Sequence, residues 1–138
     1  MSGAGWQPLG PHRFAIDVDT LLWSPQGEIS ESEGDVISDQ MVALARAHRY
    51  VLVLIDGRNS PPLRYEVRRL YADKIRRFQI HLAVAVFGGR PTSRAIAMLT
   101  FRAVRLITEL DIDIRYTATE AEARKFLGEQ RERLRKEV

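Results

Sequence analysis

Two loop-like segments hold the side chains best suited to chemistry. The first is Asp56-Gly57-Arg58-Asn59-Ser60, which directly follows the apolar run YVLVLI. A carboxylate, a guanidinium, an amide and a hydroxyl this close together can hold the polar group of a small ligand. The same residues also suit a plain turn, with Asp56 capping the bend and Gly57 at a positive φ. The second segment is Gly88-Gly89-Arg90-Pro91-Thr92-Ser93-Arg94, after the run HLAVAVF. Glycines allow close approach to the backbone, and free amides at a helix start attract anions. The spacing of a Walker loop is absent. A tight turn followed by a Thr92 or Ser93 helix cap also accounts for these residues. The ligand-binding candidates are therefore Asp56, Arg58, Asn59, Ser60, Gly88, Gly89, Thr92, Ser93 and Arg94.

A third candidate is a helix face over residues 92–110. At about 100° per residue, Ile96, Leu99, Ala103, Leu106, Ile107 and Leu110 cluster inward. Arg94, Met98, Phe101 and Arg105 then point away. Apolar side chains framed by arginine have the composition of an interface, so Met98, Phe101 and Arg105 are the candidate contacts for a protein partner or a second copy.

Catalytic chemistry finds little to work with, and no catalytic residue, metal or cofactor is expected. The chain has no cysteine, which excludes disulfides and thiol catalysis. His12, His48 and His81 lack metal-ligand spacing. There is neither a G-x-S-x-G elbow nor a G-x-G-x-x-G loop. Asp17, Asp19, Asp56 and Thr92 or Ser93 loosely mimic an aspartyl-phosphate receiver. Receivers open strand-helix-strand, however, and this chain opens with two strands. Asp17 and Asp19 read instead as residues on the wet face of a strand.

The elements that must position these residues follow from periodicity. Residues 12–19 alternate apolar and polar, the period of a half-wet strand. Residues 21–28 read as its hairpin partner, on an edge or interrupted because Pro25 cannot donate to a ladder. Ser30 and Glu33 form a capping box for a helix whose firm part starts near Asp35, since Gly34 weakens the first turn. Residues 50–55 and 81–87 are continuous apolar runs, as in strands buried on both faces. Pro61-Pro62 opens a helix over 63–78 with Val67, Leu70, Tyr71, Ile75 and Phe78 as its buried stripe. Residues 112–116 form a further strand. Thr119 or Thr117 caps a last helix, whose tail from 131 to 136 alternates charge and reads as a solvated face. The expected fold is α/β, in the order β-β-α-β-α-β-α-β-α, with about five strands and four helices. Crossovers make the later strands parallel.

The 138 residues suit a single domain over 12–138, after a flexible lead-in over 1–11. No run reaches the ~20 apolar residues of a membrane span, and no secretory leader opens the chain. A cytoplasmic location is expected. Charge is uneven: residues 57–105 hold eleven Arg or Lys against two acids, a net of +9, while residues 1–56 hold three against eight, a net of −5. That middle suits an anionic partner, or a surface neutralised within the molecule. Nucleic acid is an unlikely partner, because Arg64, Arg68, Arg69, Arg76 and Arg77 spread around their helix without aromatic platforms.

This order and three segments resemble STAS domains. Gly27-Glu28-Ile29-Ser30 is similar to the family's strand-to-helix entry. Val51-Leu52-Val53-Leu54-Ile55-Asp56 is similar to its central strand ending in Asp. Thr119-Glu120-Ala121-Glu122-Ala123-Arg124-Lys125-Phe126-Leu127 is similar to a closing T-E-x-E-A-x-x-W-L helix, with Phe in place of Trp. The likeness spans roughly residues 12–130. It points to STAS-like bacterial proteins grouped with the anti-sigma-factor antagonists and with lipid-transfer domains of the CRAL-TRIO type. The resemblance implies a non-enzymatic module that signals by binding a protein partner, with a small anionic or lipid-like ligand as the alternative. The Asp-Ser-x-Gly segment of phosphorylation-switched antagonists is absent, although Ser60 sits near its place. That switch therefore does not carry over.

Overall fold

The computed structural model describes Met1 and residues 5–107 and 110–137, with backbone alone for residues 100, 101 and 104–107. Among these residues the chain begins with β1 (Gln7–Leu9), which lies inside the stretch expected to be a flexible lead-in. It pairs antiparallel with β2 (His12–Asp17). Three residues, one of them proline, are too short a signal to read from periodicity, and only pairing reveals them.

β2 turns tightly into β3 (Thr20–Ser24), with Asp17 opposite Thr20. β3 is neither an edge nor interrupted. It is buried throughout and ends at Ser24, so Pro25 stands outside the ladder. The helix α1 (Glu31–His48) starts one residue after its cap: Ser30 Oγ accepts from the Glu33 amide at 3.2 Å, and Glu33 Oε1 accepts from the Ser30 amide at 2.9 Å. The capping box thus carries the first turn past Gly34, which the sequence reading had taken as a weak point. Gly34 is buried, and a Cβ there would lie 3.1 Å from Val67 Cγ1 of the neighbouring helix, so its small size lets two helices meet.

β4 (Val51–Asp56), α2 (Tyr65–Arg77), β5 (Leu82–Phe87), α3 (Pro91–Ile107), β6 (Ile112–Thr117) and α4 (Glu120–Glu137) follow. The prolines at 61 and 62 precede α2 by a short extended segment and do not form its first turn. The result is an α/β fold on a mixed six-stranded sheet in the order β1-β2-β3-β4-β5-β6, with β3 to β6 parallel.

Because each parallel strand joins the next in line, right-handed crossovers carry α1 and α2 over the same face. There Ile37, Met41, Val67 and Ile75 pack on Trp23, Val53, Val84 and Val86. α4 closes the opposite face, setting Phe126, Leu127 and Leu134 against Leu52, Leu54, Ala83 and Ala85. Two alanines on the central strand give α4 room to sit close to the sheet. No described helix is long and apolar enough to cross a membrane.

Candidate functional site

Period-two alternation sorts β4 and β5 into two sets of side chains. Val53, Ile55, Val84 and Val86 face α1 and α2, and these two helices with α3 do not fill the space above them. A cavity of about 110 Å³ remains, walled by those residues together with Trp23, Ile37, Met41, Ile75, Ile96, Ala97, Ile114 and Tyr116. The wall is almost wholly apolar. Burial pushes the Tyr116 phenol up to about 12, with Arg94 near its ring acting the other way, so it stays neutral at ordinary pH.

The α2 wall of this cavity carries unmet hydrogen-bonding groups. Tyr71 Oη and Arg68 Nε are buried without a partner, and no other side-chain nitrogen or oxygen buried among the described residues lacks one. Both residues line the cavity, one turn apart on α2. A buried hydroxyl or N–H without a partner costs about 1–3 kcal/mol, so native structures seldom leave such groups unmet. Burial alone raises the Tyr71 phenol pKa far above its ordinary value, which keeps its proton in place.

The two loops expected to form a site do come together. The Gly57 amide donates to the Phe87 carbonyl at 2.8 Å, and Ser93 Oγ donates to the Ser60 carbonyl at 3.2 Å. Gly57, Ser60, Gly89 and Ser93 line the cavity at the carboxyl ends of the strands. Gly57 is required by crowding rather than by a positive φ: a Cβ there would meet Val86 Cγ1 at 2.7 Å and Gly89 Cα at 3.0 Å.

The charged candidates in these loops are not gathered with them. Asp56 shares the parity of Leu52 and Leu54, and Arg58 grips it through Nε at 2.9 Å and Nη2 at 2.7 Å. These bonds from Arg58, opposed by burial, hold the Asp56 carboxyl below the usual carboxylate range. Arg58 is otherwise exposed and lies over the Phe87 ring. Asn59 donates to Gln26 on the surface, at 3.0 Å. Gly88 is exposed. Thr92 is also exposed and caps nothing, because α3 already begins at Pro91 and so places Thr92 and Ser93 within its first turn. Arg94 is exposed, over the Tyr116 ring.

The interface face of α3 is shifted from the one expected. Leu99 is 64% exposed and Ala103 is exposed, although both were placed inward, while Met98 is half-buried rather than outward. The side that faces the cavity runs through Ser93, Ile96 and Ala97. The side chains of Phe101 and Arg105 lie outside the described residues.

One polar cluster went unread in the sequence. Asp19 is 1% exposed, not a solvated strand residue. Arg131 donates to it through Nε at 2.8 Å and Nη2 at 3.0 Å, Tyr50 Oη at 2.7 Å and Thr20 Oγ1 at 2.9 Å. Burial pushes the Asp19 pKa up, but these donors together outweigh it and hold the carboxyl far below its ordinary value. Arg135 bonds the Tyr50 hydroxyl, and Arg133 pairs with Asp111 and Glu137, so the tail of α4 is a clamp and not merely a solvated face. With a separation of 112 in sequence between Asp19 and Arg131, no local pattern reports the pair.

His12 is likewise fully paired. Its Nδ1 accepts from the Gln26 amide at 2.8 Å, so Nε2–H faces Glu33 at 3.2 Å. No three His, Asp or Glu side chains converge as a metal would require, among the described residues. No protein-family model matches this chain, and no curated protein matches it in sequence.

Proposed function

We propose that this chain is a non-enzymatic binding module of the STAS type that holds a small, largely apolar ligand beneath α1, α2 and α3. The observation that carries the reading is a cavity between sheet and helices whose walls include two unpartnered polar atoms. Apolar pockets with a few polar groups are the usual form of small-molecule sites. The position also fits, since ligands of open α/β sheets gather beyond the carboxyl ends of the strands, where Gly57 and Gly89 meet. Its volume lies somewhat below the ~150 Å³ of an engineered apolar cavity that takes up benzene. A single ring or a short chain suits it, and a long acyl chain does not.

Native mass spectrometry of the purified chain tests this. A mass adduct that disappears in Ala97→Phe, a variant that fills the cavity, is the expected result. An empty chain whose melting temperature ignores benzene, toluene, indole and benzoate would overturn the reading.

One observation favours a second reading, in which the module signals through a protein partner: Leu99 stands 64% exposed on α3. If Leu99→Glu and Met98→Glu retain every partner and the same oligomeric state, that surface is not used.

A further inference from the structure

The two unmet atoms say more about the occupant than the volume does. A phenol O–H and an arginine Nε–H are both donors, and Nε–H can only donate. They stand one turn apart on α2, on the wall of one cavity. The head of Arg68 turns toward the Tyr65 ring, 5.8 Å from its centroid, and no carboxylate pairs with it among the described residues. Its Nε–H, part of the same cation, is the buried and unpartnered portion of a side chain that lines the cavity. A neutral apolar guest would leave both donors unmet and would gain nothing from that charge. A guest carrying an anionic acceptor would satisfy both atoms at once, through a charge-assisted bond of the stronger kind.

We infer that the ligand is a ring-sized monocarboxylate, with its ring against Ile55, Val84 and Ala97 and its carboxylate accepting from Tyr71 Oη and Arg68 Nε. This rests on the ligand-binding reading above and adds the chemical class. The limits are mutual. The volume restricts the body to about one ring, and the donor pair restricts the head to an acceptor. The Ser93 hydroxyl donates to the Ser60 carbonyl and so does not compete for the carboxylate.

Benzoate and toluene, nearly the same shape, are the probes, with dissociation constants read by equilibrium dialysis and by the fluorescence of Trp23 in the cavity wall. A void without directed donors prefers toluene, the more hydrophobic of the two. The inference expects the reverse, benzoate at least tenfold tighter. It further expects Tyr71→Phe and Arg68→Met each to weaken benzoate about tenfold and to leave toluene unchanged. Tyr71→Phe removes no charge, so its effect separates a directed bond from anion binding to the basic surface. Its unligated melting temperature, equal to or above wild type, shows that the variant is folded.

Toluene bound as well as benzoate, as when one trapped water satisfies both donors, overturns the inference and leaves the cavity function standing. So does benzoate binding that neither variant alters. If neither compound binds, the inference and the cavity function fall together.

Discussion

The two faces of the sheet treat polar groups in opposite ways. Beneath α4, Asp19 is buried with its oxygens taken up by Arg131, Tyr50 and Thr20. Beneath α1 to α3, Tyr71 Oη and Arg68 Nε are buried without a hydrogen-bond partner, and both residues line a cavity. Small residues explain the first: Ala83 and Ala85 let α4 close down, so its arginines reach the hairpin. On the other face Val84 and Val86 share the gap with three separate helices, whose packed side chains leave a hollow over the sheet. A satisfied network helps to hold a fold together, whereas buried groups left unsatisfied call for an explanation of their own.

The comparison breaks most visibly at Arg131. Arg131→Met leaves the Asp19 charge buried without its chief donor and should cost roughly 3 kcal/mol, the low end for a broken buried pair because Arg131 is itself a third exposed. Urea unfolding at pH 7 measures it, and a loss under 1 kcal/mol would make the clamp ornamental.

Next comes pH. The native Asp19 carboxyl titrates below the unfolded value of about 3.9, so its stabilisation is present above that value and is lost as pH falls below it. Wild type should exceed Asp19→Asn by about 2 kcal/mol at pH 7. The gap should narrow as pH drops from about 5 toward 2. A gap that is flat across this window would contradict the assignment.

One substitution made on both faces sharpens the contrast further. Tyr50→Phe removes a donor from Asp19 and should destabilise by about 1 kcal/mol. Tyr71→Phe removes an unpaired hydroxyl and should leave the unligated protein unchanged or up to about 1 kcal/mol more stable. Thermal melts should show a lowered midpoint for Tyr50→Phe and no lowering for Tyr71→Phe. The smallest effect is expected from Ala97→Leu, which fills part of the cavity and should add at most about 1 kcal/mol while excluding any ligand. Measurable destabilisation there would mean that the space is already filled by packing.

Much of the scaffold was readable before the fold was known. Apolar runs at 51–56 and 82–87 became central strands because only a doubly covered strand tolerates such continuity. The Ser30–Glu33 capping box is local chemistry and was found where it was read. The meeting of the two glycine-bearing loops followed from strand direction alone. Asp56 could also have been removed from the site beforehand, because its parity with Leu52 and Leu54 sends it to the α4 face. The α3 stripe was misjudged because its apolar residues fit more than one helical phase. Its true phase depends on how α2 and β6 flank it.

By itself the sequence determined the order of elements from β2 onward and the parallel run of later strands, since these follow from residue period and from helical crossovers. Tertiary structure alone decided that Asp19 meets Arg131 across the whole chain and that Tyr71 is left without a partner. It alone also decided that three helices over valines leave a hollow. Local pattern records which residues turn inward, but volume and partnership are properties of several segments packed together, and no window of neighbouring residues contains them.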